Sequence, residues 1–289
     1  MKRLGLLALA AALALAVSIE TSSAAKPGRE TRLAAARSFV FAIGDGALTG
    51  NLSERYARFD LVVVDGENAT GKKVAAIRRS SGGLVLAYLD VGTIEDYRGW
   101  YNAAKPYRLE YWGDWSEWYA NVNAAGFRSL ILKRVAPAML DKGFDGLFLD
   151  NTDMTETHPA QKPGMRALVT RLSRLARARG KLLMAQNGSD VNWPLKGFFD
   201  AINFEDVSFG YDFDRHAYIR RSAGSVAQAK RSIRRYRGAG LRVTATDYLA
   251  AGETRDARIA VRNACSAGAL PYVSDIYLKR IPARPFLCN

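Results

Sequence analysis

Two stretches of the chain end in carboxylates where a fold could use them. Residues 143–151 read Gly-Phe-Asp-Gly-Leu-Phe-Leu-Asp-Asn, and residues 201–206 read Ala-Ile-Asn-Phe-Glu-Asp. Each is a short apolar run closed by an acid, the pattern of a buried parallel strand that delivers a carboxylate at its C-terminal tip. Asp150 and Glu205 are the leading candidates, because two acids on nearby strands can divide acid/base work between them.

The ends of the other apolar runs are polar as well. Asp45 follows the first, Asp65 and Glu67 the second, Asp90 the third, and Asn151 and Asp153 stand just past Asp150. Gln186 and Asn187 follow the fifth run, Asp206 sits beside Glu205, Asp247 and Tyr248 close the seventh, and Asp275 follows the eighth. Any single Asp or Asn here could be the N-cap of the next helix. Caps do not require an acid or amide after every strand, and Glu205 is a poor cap, so the set reads as an acidic cleft. Aromatic residues accompany it. Between Tyr97 and Tyr119 lie Trp100, Tyr101, Tyr107, Tyr111, Trp112, Trp115 and Trp118. The spacing of Trp112, Trp115, Trp118 and Tyr119 fits one face of a helix, which would bury part of the group. The rest, Trp112 among them, would sit on a rim loop, where flat rings can stack on sugar faces.

Carboxylates and aromatic rings together point to glycoside hydrolysis, in which one acid protonates the leaving oxygen and the other attacks the anomeric carbon or activates water. Metal chemistry has little support. His158 and His216 are the only histidines, and neither stands at a strand end with ligand spacing. An oxygen-ligand Mg²⁺ or Ca²⁺ site among the aspartates stays open, but the reading is of no metal and no cofactor. No Gly-x-Ser-x-Gly elbow is present, which counts against a serine hydrolase.

These residues need a scaffold with many strand tips on one face. Eight apolar runs recur, at 39–43, 61–64, 84–89, 146–149, 182–185, 199–204, 242–246 and 270–273. Helical spacing fills the segments 72–80, 130–140, 164–179, 226–238 and 254–267 between them. Eight βα repeats without a linker predict an α/β fold, a single (β/α)8 TIM barrel over 38–289 with its active site at the C-terminal face. The glycine-rich turn at 44–50 lacks dinucleotide or phosphate-loop spacing. Ahead of the barrel, Lys2 and Arg3, the apolar run 4–17 and the small residues at 22–25 have the three-part form of a secretory signal peptide over 1–25. A polar leader over 26–37 follows. The expected location is secreted or periplasmic, as a monomer with no lasting membrane insertion.

Secretion also allows a disulfide between the two cysteines, Cys265 and Cys288, with two separate buried thiols as the alternative. Residues 1–25 hold two basic residues and one acid, so their removal takes the formal charge only from +14 to +13. Such a surplus suits a nucleic-acid or polyanion binder, but the basic residues crowd helical segments such as 166–179 and 230–237, where solvated faces are the simpler reading. No nucleic-acid partner is expected.

The run Ala-Tyr-Leu-Asp-Val-Gly-Thr-Ile-Glu-Asp-Tyr-Arg at 87–98, the run 143–153, Gln186-Asn187-Gly188 and Asn203-Phe204-Glu205-Asp206 resemble glycoside hydrolase family 114. The Gly-Phe-Asp-Gly-x-Phe-Leu-Asp-Asn stretch is the most specific element. The resemblance implies an endo-α-1,4-polygalactosaminidase-like activity on an amino-sugar polysaccharide, with Asp150 as nucleophile and Glu205 as general acid/base of a retaining mechanism. It also draws Tyr88 into the substrate-binding set. The chain departs from the family pattern at Asp90, where Ser is commoner, and at Thr93, where Glu is commoner, which bears on the sugar accepted. A neutral or partly N-acetylated polymer fits the same reading, and a catalytically silent polysaccharide binder on the same barrel is the alternative.

Overall fold

The computed structural model describes residues 28–288, so the signal peptide read over 1–25 lies outside the described residues. The strands are β1 (Phe39–Phe41), β2 (Leu61–Asp65), β3 (Leu84–Asp90), β4 (Thr93–Ile94), β5 (Arg108–Trp112), β6 (Glu117–Ala120), β7 (Gly146–Asp150), β8 (Leu182–Gln186), β9 (Ala201–Glu205), β10 (Phe209–Asp212), β11 (Ala217–Arg220), β12 (Arg242–Tyr248) and β13 (Leu270–Ser274). The α-helices are α1 (Arg29–Ala35), α2 (Leu52–Tyr56), α3 (Gly71–Ser81), α4 (Tyr101–Ala104), α5 (Ala125–Leu130), α6 (Ala136–Asp141), α7 (Lys162–Ala178), α8 (Ala223–Gly238) and α9 (Thr254–Ala267). A π-helical turn, Ile131–Val135, joins α5 to α6.

Eight strands form one parallel sheet in the order β1, β2, β3, β7, β8, β9, β12, β13, and β13 lies against β1, so the sheet curls into a barrel. The chain is a (β/α)8 TIM barrel. All eight apolar runs are barrel strands, because continuous burial on both faces is what a parallel sheet under helices demands. Inside, the rings of Phe41, Tyr88 and Phe148 meet, with 4.7 Å between the centroids of Phe41 and Phe148. The first glycine of the barrel motif's strand has a packing reason: a Cβ on Gly146 would collide with the Leu182 carbonyl of the next strand. Among the described residues no helix is long and apolar enough to cross a membrane.

Two excursions differ from the sequence expectation. The aromatic segment is neither a helical stripe nor an open loop. It is the antiparallel sheet β4-β6-β5, and Tyr111 pairs across strands with Trp118. The helix-like intervals arise because the chain reverses through 113–116, with Ser116 at φ 58°, and brings Trp112 back over Tyr119. The second is the hairpin β10–β11, which precedes α8 and leans on the first: Trp115 meets Phe213 edge-on at 5.0 Å.

The expected polar leader also has structure. Within it α1 buries Leu33, and Arg29 Nε reaches Asp145 at 2.8 Å while Arg32 donates to the Gly82 carbonyl at 2.8 Å. These partners all precede barrel strands, so α1 sits at the N-terminal end of the barrel, opposite the strand tips. Asp145 is wholly buried, and Arg78 also pairs with it at 3.2 Å. At the other pole of the chain, Cys265 near the end of α9 is disulfide-bonded to Cys288, which ties the C-terminal tail to the barrel wall.

Candidate active site

The tips of β7 and β9 open into one cleft of about 870 Å³ at the C-terminal face. Asp150 and Glu205 both line it, with Asp65, Tyr88, Asn151, Asp153, Asn187, Asp206, Tyr248 and Trp112. Each carboxylate is clamped. The Tyr88 hydroxyl donates to Asp150 Oδ2 at 2.7 Å, and the backbone N–H of Asn151 donates to Oδ1 at 2.7 Å. Asn187 Nδ2 donates to Glu205 Oε2 at 2.8 Å, its Oδ1 accepts the Glu205 N–H at 2.9 Å, and the Tyr248 hydroxyl donates to Oε1.

Three residues that directly follow strand tips, Asn151, Asn187 and Asp206, take left-handed backbone conformations with φ of 53°, 52° and 56°. Asn and Asp tolerate that region better than other non-glycine residues. The turn it makes lets the Asn151 N–H reach back to the carboxylate before it. A close approach follows at Gly92, where a Cβ would strike the Asn151 carbonyl.

Burial raises Asp150 well above the ordinary carboxylate range, and the charges of Asp90 and Glu205 add to the rise. Burial also raises Glu205, against the hydrogen bonds from Tyr248, Asn187 and Gln186 that favour its ionised form. Two acids that feel each other in this way titrate as a pair, the charge on one opposing ionisation of the other. Around them burial pushes Asp153 up to about 7 and Asp206 up to about 7, the latter with help from Glu205.

Four expected binding residues are elsewhere. Asp90 is buried and accepts from the N–H groups of Gly92 and Thr93 and from Asn151 Nδ2, so it fixes the turn after β3. Asp247 is buried and takes the N–H groups of Ser208 and Phe209. Gln186 accepts from Asn203 within the barrel at 2.7 Å. Asp275 caps the Tyr277 N–H and pairs with Arg280 at 3.2 Å. None of the four lines the cleft; each is engaged by donors of its own surroundings, and Gln186 supports the site from beneath through its hydrogen bond to Glu205.

Sequence reasoning did not single out Glu95 and Glu117, which line the cleft. Neither ends a barrel strand. The available signal was the alternation of β6, in which Glu117 and Tyr119 share a face. Glu95 and Asp65 are bridged by the buried Arg98, whose Nη1 lies 2.6 Å from Asp65 and whose Nη2 donates to Glu95 at 2.9 Å. Replacing Arg98 with Met leaves two buried acids without their counter-ion, and a loss of about 3–5 kcal/mol is expected in urea unfolding at neutral pH. The loss should shrink at lower pH as Glu95, which burial already raises, takes up a proton.

Glu117 accepts from the Thr93 hydroxyl, and burial with the charges of Asp90 and Glu95 lifts its pKa from 4.5 to about 9. The folded chain keeps this proton while the unfolded chain releases it, so stability falls as pH rises from about 4.5 towards 9. Glu117→Gln removes that slope. The expected result is a melting temperature near that of wild type at pH 5 and clearly higher at pH 8; equal melting temperatures at both values would mean that Glu117 is ionised in the fold.

A barrel of this topology, with two clamped carboxyls in a ring-walled cleft at its C-terminal face, is of the TIM-barrel glycoside hydrolase class. The chain matches the profile of glycoside-hydrolase family GH114 over residues 20–284 and belongs to that family. Among solved structures it is similar to the glycoside hydrolase domain of PelA from Pseudomonas aeruginosa, at 23% identity and a TM-score of 0.71 over 85% of this chain and 97% of that one. It is also similar to Aspergillus fumigatus Ega3, solved in complex with galactosamine, at 16% identity and a TM-score of 0.65 over 89% of this chain and 96% of that one. At these identities the two likenesses bear on the fold. A comparison with curated protein sequences finds no match.

Proposed function

We propose that this glycoside hydrolase is a secreted or periplasmic monomer that cuts an α-linked polymer of amino sugars internally and retains the anomeric configuration. The charge of the cleft carries the substrate reading. Nine carboxyl side chains line it (Asp45, Asp65, Glu95, Glu117, Asp150, Asp153, Glu156, Glu205 and Asp206) against one lining cation, Lys279, although the whole chain is formally +14; burial keeps Glu117 protonated at neutral pH and Arg98 offsets Asp65 and Glu95, which leaves the other acids to face a ligand. Such a cleft favours a sugar bearing ammonium groups, and one oxygen of Asp206 is buried without a hydrogen-bond partner. Tyr97 and Tyr277 line the cleft with 68% and 56% of their surface exposed, which leaves ring faces for sugar stacking. The complex of Ega3 with galactosamine agrees with this class of ligand.

In the first step Glu205 gives its proton to the glycosidic oxygen as Asp150 attacks the anomeric carbon, which forms a glycosyl-enzyme and frees the leaving chain. In the second, ionised Glu205 takes a proton from water, whose oxygen displaces Asp150 from that carbon. Asp150 attacks from its ionised form, which burial and the Asp90 and Glu205 charges disfavour and which donation from Tyr88 and Asn151 in part offsets. The test is the first anomer released from α-1,4-linked galactosamine oligomers, read by NMR, beside their N-acetylated counterparts. Release of the α anomer from the free amine alone is expected. A β anomer would overturn the retaining mechanism, and faster cleavage of the acetylated chain would overturn the amino-sugar reading.

A further inference from the structure

Outside the barrel, away from the catalytic cleft, a groove of about 660 Å³ runs between α8, α9 and the foot of β11. Arg220, Arg221, Lys230, Arg231 and Arg234 line it, and no acid does. None of the five is within ion-pair distance of a carboxylate among the described residues. Other arginines of this basic chain do find acids: Arg29 and Arg78 meet Asp145, Arg179 meets Asp141, and Arg235, on another face of α8, meets Asp190. Lys230 and Arg234 stand one helical turn apart, where like charges repel. Arg221 still acts on Asp206, whose pKa it lowers, but the groove otherwise holds concentrated positive charge that the fold itself does not compensate. Three features make it a receptor for anions more than a solvated helix face. It is concave, the first turn of the 16-residue α8 adds its positive end at Ala223 and Val226, and its neutral polar lining is the pair Ser208 and Asn263, in which Asn263 Nδ2 donates to Ser208 Oγ at 2.9 Å.

We propose that this groove is a second carbohydrate site, one that takes an anionic glycan bearing carboxylate or sulfate groups. Single-stranded nucleic acid calls for exposed rings on which bases stack, and the one ring beside the groove, Phe209, is buried beneath Arg220. A duplex presents its phosphates on a convex surface, which a groove of this size does not admit. The hairpin β10–β11 joins the two sites. Its Tyr211 and Phe213 wall the catalytic cleft, while Arg220 at its end faces the groove.

The test compares two triple variants of the full chain. One carries Lys230→Glu, Arg231→Glu and Arg234→Glu, and the other reverses three exposed arginines of α7 by Arg166→Glu, Arg171→Glu and Arg174→Glu. Calorimetric titration uses hexagalacturonate, a fully sulfated hexasaccharide and a 20-mer of oligothymidylate in physiological salt. Wild type should bind one of the two glycans more tightly than oligothymidylate. The α8 variant should lose about tenfold or more in affinity, as three attractive contacts become repulsive, and the α7 variant less than about threefold. Hydrolysis of a small chromogenic glycoside should be unchanged in both, which separates this site from the catalytic reading. Equal losses in the two variants would reduce the effect to bulk charge and overturn the proposal. Absence of glycan binding, or tighter binding of oligothymidylate, would overturn it as well.

Discussion

Asp150→Asn should lower kcat on the polymeric substrate by roughly 10⁴-fold or more, the scale on which removal of a covalent nucleophile is felt. The amide cannot attack the anomeric carbon. Little else should change. Asn keeps one oxygen for a donor from Tyr88 or Asn151 and leaves the other donor facing an amide, which costs stability. It also removes a carboxyl that burial and the Asp90 and Glu205 charges make unfavourable to ionise. These opposing effects should hold the melting temperature within about 3 °C of wild type. Binding of galactosamine oligomers should persist, so the measurement pairs titration calorimetry with product analysis. Full activity in a folded Asp150→Asn protein would remove Asp150 from the mechanism.

Glu205→Gln should fall by about 10²–10⁴-fold on the polymer but show a different dependence on the leaving group. An aryl glycoside whose phenolate departs without a proton needs no general acid, so its first step should be nearly spared. The second step still needs a base to activate water, so a glycosyl-enzyme should accumulate on Asp150 and appear as a mass increase on the intact protein. Azide, which attacks without giving up a proton, should release it as a glycosyl azide. The pH profile carries a second signature. Because burial raises Glu205, wild-type activity should decline as pH rises through that elevated value, and this alkaline limb should vanish in the variant when the aryl substrate is used. A proportionate loss on both substrates, without an accumulating intermediate, would assign Glu205 to binding.

The sequence was most legible where burial is continuous. Eight apolar runs matched the eight barrel strands because a parallel sheet covered by helices leaves no polar face to break the run. It was least legible where the chain reverses on itself. The β4-β6-β5 sheet was hidden because rings brought together across a turn repeat at intervals that imitate a helix, and Glu117 was hidden with them.

Among the acids, identity and position did not separate those that line the cleft from those that do not. Asp90 and Asp150 end adjacent strands in register, yet the turn after β3 folds over Asp90 with two N–H groups and keeps it out of the cleft, while Asp150 takes one N–H from its own turn and lines it. Asp247 likewise serves N–H groups from the loop after β9, across strands. By itself the sequence determined the barrel, the face on which its acids gather and the candidacy of Asp150 and Glu205, because these follow from local apolar runs and what ends them. The tertiary structure alone decided which carboxyls line the cleft and how readily each ionises, since that depends on the backbone donors, the guanidinium of Arg98 and the neighbouring charges that distant segments bring to each one.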